Sequence, residues 1–231
     1  MNIAIVHNSV SDADAPDARD VLIQVETVLQ ALMDLGHQCL ALPCTLDLGD
    51  IEKRLKADKF DMVFNLVESL AGHGRLIHLF PSLLDAIGLP YSGSPAEAIW
   101  RTSDKASAKK ILQQAGLPTP DWLGPYPTRD NDSLGEPATV SGSWIIKSSW
   151  EHASIGLDAN ALLQADSTAS LLSTMRQRLP LLGGSCFAER FIDGREFNLS
   201  VLTGPHGPQV LPPAEILFQG FDEETPRIVD Y

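Results

Sequence analysis

The chain has 231 residues, 44% of them apolar and 20% charged, with a formal net charge of −13. That length suits one large domain or two small ones, and the balance of apolar to charged residues is that of a globular chain, not a disordered one. The acidic excess argues against nucleic acid and anionic membrane as partners, because both need clustered Lys and Arg. The start carries no basic leader or cleavage site, and no apolar run is long enough to span a bilayer, so a soluble, cytoplasmic protein is expected. Cys39, Cys44 and Cys186 are odd in number and lack metal spacing; they read as reduced, mostly buried thiols.

Residues 2–6 form a short apolar run, the expected first strand. A polar stretch from Asp12 to Asp20 leads into a helix on which Val21, Val25, Val28, Leu29 and Leu32 recur at helical spacing, with Gly36 at its end. Residues 38–42 read as a second strand, and Leu48, Ile51 and Leu55 mark a short helix. The run at 60–66 is nearly all apolar and predicts a strand buried on both faces. Leu76 to Ile87 predicts a helix ended by Gly88, and residues 89–92 a short strand. This alternation makes residues 1–93 a Rossmann-like parallel-sheet α/β unit. Ligands in such units gather at the carboxyl ends of strands, which here carry His7, Asn65 and Glu68.

Two helices follow, near 95–100 and 103–115, stopped by Gly116-Leu-Pro-Thr-Pro. Residues 127–142 read as a surface excursion. A strand ending on Lys147 comes next, then a helix near 167–179. Two further strands, near 187–191 and 196–202, are joined by Asp193-Gly194, a hairpin signal. This second region, 94–203, reads as α+β, and residues 204–231 as the opening of a further, incomplete part.

The informative segment is Ser143-Trp-Ile-Ile-Lys147, followed by a polar loop, 148–157, that contains Ser154 and Gly156. About forty residues on, Glu189 sits inside an apolar run and Glu196 follows a turn. A lysine at a strand end, a loop of N–H donors and two carboxylates suit one wall of a nucleotide pocket, since phosphate needs cations and N–H groups at fixed distance. Lys105, early in its helix, is a second cation that could grip another phosphate, although by itself it reads as a solvated helix lysine. Glu189 needs a partner if buried, while Glu196 by itself reads as a strand-face charge. No phosphate loop of the form G-x-x-x-x-G-K-[ST] is present, nor H-E-x-x-H, G-x-S-x-G or paired C-x-x-C.

In order and spacing, Val63-Phe-Asn-Leu, Gly88-Leu-Pro-Tyr-Ser-Gly93, Asp104-Lys105, Ile146-Lys147 through Ser154-Ile-Gly156, and Ala188-Glu189 through Glu196 resemble the ATP-grasp superfamily, and within it the D-alanine–D-alanine ligase family. The resemblance implies a Rossmann-like unit ahead of an ATP-grasp domain, with the C-terminal part truncated. It implies that Lys105 and Lys147 contact the phosphates of ATP and that Ser154 and Gly156 belong to the phosphate-covering loop. Glu189, Arg190, Phe191 and Ile192 would line the adenine and Glu196 would hold the ribose. Lys147 and Ser154 would serve catalysis. The implied reaction joins a carboxylate to an amine through an acyl phosphate, with small amino acids or related molecules as substrates. It allows a homodimer, which no residue here signals.

Three departures stand beside the resemblance. The loop has Ala153 where the family carries the first of two serines. The segment after the first strand offers only Asp12, Asp14, Asp17 and Asp20 in place of a family glutamate, and Glu68-Ser-Leu-Ala-Gly-His-Gly-Arg75 is altered after the third strand. His7, Glu68 and Arg75 therefore form a candidate substrate set, and D-alanine itself is in doubt. Finally, the family's Mg²⁺ ligands would lie beyond residue 231, and so would a lysine expected after Tyr231. No metal ligand is expected within the chain, and the 231-residue piece alone is expected to be inactive. Two other readings are open: a non-catalytic nucleotide-binding or interaction module, and an enzyme using the α/β unit alone through His7 or Glu68.

Overall fold

A computed structural model of the chain describes residues 1–11, 19–127, 137–152 and 154–220. Asp12, Asp14, Asp17, Ala153, Tyr231 and most of the 127–142 excursion lie outside the described residues.

The first part of the chain builds a parallel sheet of β1 (Asn2–Asn8), β2 (Gln38–Cys44) and β3 (Met62–Leu66), in the order β2-β1-β3. Strand β1 is the central one and is buried along nearly its whole length, which is why its residues 3–6 are all apolar. Strand β2 lies at the edge and alternates between exposed and covered positions. Helices α1 (Val21–Asp34), α2 (Leu48–Ala57) and α3 (Leu79–Ile87) pack on this sheet. Ala4, Val6, Leu42 and Val63 meet Ile51, Leu55, Phe80 and Leu84 in one core. The Asp47 side chain caps α2 by accepting from the Asp50 N–H at 3.1 Å.

Strand β3 (Met62–Leu66) departs from expectation, since only Val63 of it is buried. Its outer neighbour is a single bridge, Val63 to Tyr91, with the Val63 N–H donating to Pro90 O and the Ser92 N–H to Val63 O. Residues 89–92 thus do not form the short strand expected of them. Pro90 has no N–H with which to extend a ladder.

Beyond α4 (Ala96–Ser103) and α5 (Lys105–Gln114) comes a four-stranded antiparallel sheet. It runs β4 (Trp122–Tyr126), β7 (Cys186–Arg190), β5 (Gly142–Ser148), β6 (Leu162–Ala165). Neither β4 nor β6 was legible in sequence. Gly124-Pro125 reads as a turn, yet β4 is an edge strand, where a missing N–H is tolerated, and β6 has only four residues. The hairpin expected at Asp193-Gly194 does not form. Both edges of β7 are already taken, by β4 and β5, so the chain leaving β7 has no ladder to join there. Instead β8 (Glu196–Asn198) pairs with β11 (Ala214–Ile216), and β9 (Val201–Gly204) with β10 (Gly207–Val210).

The two faces of this second sheet divide its labour. Trp144, Ile146, Cys186 and Ala188 point to one side and pack with Leu171 and Met175 of α6 (Thr168–Arg178). Ile145, Lys147, Phe187 and Glu189, their alternates, point to the other. Among the described residues no helix is long and apolar enough to cross a membrane.

Trp144 is fully buried, and its indole N–H donates to Val140 O at 2.6 Å. Replacing it with Ala removes the largest side chain of this core, and the expected cost is about 3–5 kcal/mol of unfolding free energy. Urea unfolding followed by far-UV circular dichroism checks this; a loss under about 1 kcal/mol would contradict the packing described.

Candidate functional site

Antiparallel register brings the two central site residues together. Lys147 lies opposite Phe187, and Glu189 opposite Ile145. The two are therefore diagonal neighbours on one face, a separation that a long side chain can span. Lys147 Nζ donates to Glu189 Oε1 at 2.6 Å. The other carboxylate oxygen, Oε2, accepts from Lys109 Nζ at 2.8 Å. Lys109 comes from α5, one turn after Lys105, and also donates to Thr119 Oγ1 at 2.8 Å while lying over the Trp122 ring.

Side-chain exposure falls from 32% at Lys147 to 14% at Glu189 and 7% at Lys109, so the cluster runs from the open side of the sheet inward. Burial pushes the Glu189 carboxyl upward, but the two ammonium groups outweigh it and hold the group below its ordinary value.

Lys147 and Glu189 line a cleft of about 340 Å³, within the range of small-molecule sites. Ile145 floors it. Arg190 borders it from the end of β7, Phe191, Ile192 and Glu196 from the segment that follows, and Ser154 from the loop. Arg190 is already engaged, donating to Thr139 O at 2.8 Å and Ser141 O at 3.1 Å and lying over the Trp144 ring. Glu196 and Ile192 are exposed. Ser154 adopts φ 56, a left-handed backbone unusual for a residue with a side chain.

Gly156 does not line the cleft but closes the loop. At φ +71 it sits so close to Leu182 that a Cβ would meet Cδ2 at 2.7 Å, and its carbonyl accepts from the buried Arg178 guanidinium. At the other end of the loop, Ser148 Oγ donates to Leu182 O at 2.9 Å and accepts from the Glu151 N–H at 3.0 Å.

Lys105 is half-buried rather than fully solvated. Its Nζ donates to the Glu151 carbonyl at 2.6 Å. Burial first, and then the Lys147 charge, push its pKa down to about 8. Glu151 is also the joint between the two sheets: its Oε2 accepts from the Gly74 N–H at 2.9 Å. A Cβ on Gly74 would meet Trp150 O at 2.9 Å, so the approach needs glycine.

The candidate substrate residues are not gathered with this set. His7 is buried, its Nδ1 donating to Asn8 O at 2.9 Å. Glu68 is exposed and accepts from Gln24 Nε2 at 3.2 Å; Arg75 is exposed. A second cleft, of about 390 Å³, lies at the ends of β1 and β2 and is lined by Asn8, Ser9, Cys44 and Asp47 among others, with none of these three candidates in its wall. Sequence reasoning missed Lys109 and Glu151. The signal for Lys109 was its spacing of one helical turn from Lys105.

No family model matches the chain. A D-alanine–D-alanine ligase of Moorella thermoacetica is 32% identical over 202 residues, which is 82% of this chain and 59% of that protein. The uncharacterized protein y4sG of Sinorhizobium fredii is 29% identical over 211 residues, 88% of this chain and 58% of that protein. The chain thus spans less than two thirds of the curated relatives it matches. Among solved structures, D-alanine–D-alanine ligase from Bacillus anthracis complexed with ATP superposes with a TM-score of 0.69 at 19% identity, covering 96% of this chain and 67% of that one. An L-amino acid ligase from Bacillus licheniformis gives 0.54 at 19% identity, covering 93% and 50%. The fold is thus that of the ATP-grasp ligases, a parallel-sheet unit followed by an antiparallel one. Several of the curated relatives that resemble it in sequence are D-alanine–D-alanine ligases.

The Lys105 amine gives a direct check on this geometry. With a folded pKa of about 8 against an ordinary 10.5, the fold penalises the charged form. Stability contributed by this residue is therefore lower below pH 8 and rises as pH climbs from about 8 toward 10.5. The ¹³C resonance of its ε-carbon is expected to titrate with a midpoint near 8; a midpoint near 10.5 would contradict the burial.

Proposed function

We propose that this chain is the nucleotide-binding part of an ATP-dependent carboxylate–amine ligase, one that joins an amino acid or related small carboxylate to an amine through an acyl phosphate. The observation that carries this reading is the Lys147–Glu189 pair at the wall of a cleft bordered by Phe191 and Ile192. In this reading Lys147 meets the phosphates, with Lys105 as a second cation near it. Ser154 faces the phosphates from the loop that Gly156 closes. Arg190, Phe191 and Ile192 flank the adenine beside Glu189, and Glu196 holds the ribose. The sheet of residues 1–93 serves the carboxylate and amine, residues 94–203 serve the nucleotide, and residues 204–231 open a further part of the protein.

The chemistry asks little covalent work of the protein. A carboxylate oxygen takes the terminal phosphoryl group, and an amine nitrogen then displaces phosphate and loses a proton. Holding the reactants in line and neutralising charge supply the catalysis. The lysine cluster provides positive charge in a partly dry setting, where it counts for more than in water. Among the described residues no group of three or more His, Cys, Asp or Glu could hold a metal ion.

Calorimetric titration of the full-length protein with ADP tests the reading. Lys147→Ala is expected to weaken ADP binding by at least about 100-fold, since it removes the outward member of a buried charge cluster. Phosphate release from ATP on adding amino acids should fall with it. Undiminished ADP binding in Lys147→Ala would overturn the assignment.

A further inference from the structure

Lys109 is buried and is not part of the cleft wall. A lysine costs free energy to bury unless it is paired. Here the pairing is complete on one side, with Nζ donating to Glu189 Oε2 and to Thr119 Oγ1, both at 2.8 Å, and 5.3 Å from the centre of the Trp122 ring.

The charge count explains the placement. A Lys147–Glu189 pair alone is neutral. Such a pair would meet an incoming phosphate with a carboxylate beside every ammonium, and attraction and repulsion would largely cancel. With Lys109 behind, two ammonium groups and one carboxylate leave one net positive charge. Each carboxylate oxygen is taken by one lysine, and the more exposed of the two, Lys147, is the one on the cleft wall.

We propose that Lys109 is a positioning residue for anion recognition: it neutralises and orients Glu189 from behind, so that the Lys147 charge is available to a polyphosphate in the cleft. This rests on the reading of the cleft as a nucleotide site and adds to it a residue that never touches the ligand.

The test compares the dissociation constants of ADP and adenosine, whose ratio isolates the phosphate contribution from contacts to the base and sugar. In full-length Lys109→Met, ADP affinity is expected to fall by about tenfold or more, as the cluster becomes neutral, while adenosine affinity changes by less than about threefold. Lys109→Arg keeps the charge and should keep the ratio. The double variant Lys109→Met/Glu189→Gln removes one charge of each sign, returns the cluster to one positive charge, and should restore the ratio. It also leaves no partly paired carboxylate, so it decides the matter where Lys109→Met does not fold. Equal losses for ADP and adenosine, or a ratio the double variant does not restore, would overturn the proposal. A wild-type protein that binds neither ADP nor ATP would overturn the nucleotide reading itself, and this inference with it.

Discussion

Everything at the candidate site is arranged around one largely covered carboxylate. Glu189 sits near the end of β7 with Ile145 opposite on β5 and Trp122 opposite on β4, where a charge can persist only if paired. Lys147 pairs it from the neighbouring strand and Lys109 from the helix packed over the same face. Removing one partner from such a cluster typically costs about 3–5 kcal/mol, far more than a surface ion pair is worth. Because the Glu189 carboxyl is held below its ordinary value, the stabilisation it contributes is present above that value and is lost only as pH falls through the lowered one. The same three groups therefore tie α5 to the sheet and set the charge of the cleft.

A second constraint joins this face to the parallel sheet. Glu151 receives the Gly74 N–H on its carboxylate and the Lys105 ammonium on its carbonyl, and its own N–H is held by Ser148. One residue thus links the segment after β3 to the start of the loop that borders the cleft. In the proposed ligase, carboxylate and amine on one side must meet phosphate on the other at contact distance, which is the condition for rate gain by positioning. A joint from the Gly74 N–H to the Glu151 carboxylate, with glycine there to permit the approach, suits that demand.

The parallel sheet was legible in sequence because its information is local: apolar runs, helical spacing and glycine at helix ends. Lys147 and Glu189 could be singled out because each interrupts an apolar strand, where a charge needs a reason. What escaped is set by tertiary context. Strand β4 is written with Gly124 and Pro125, which signal a turn unless one knows it is an edge. The hairpin expected at Asp193-Gly194 is a sound local inference overruled by β4 and β5 occupying both sides of β7. Lys105 and Lys109 look like solvated helix residues until the sheet is placed beneath them. Glu196, read as a ribose ligand by resemblance, sits exposed on a two-stranded ribbon, and nothing local distinguishes it from any other surface glutamate.

The most direct measurement is a crystal structure of the full-length protein with ADP. The account predicts the diphosphate within hydrogen-bond distance of Lys147 Nζ and the base against Phe191 and Ile192, with Glu189 still bridging Lys147 and Lys109. A nucleotide seated instead in the cleft at the ends of β1 and β2, or a Glu189 carboxylate released from Lys109 in the complex, would contradict it.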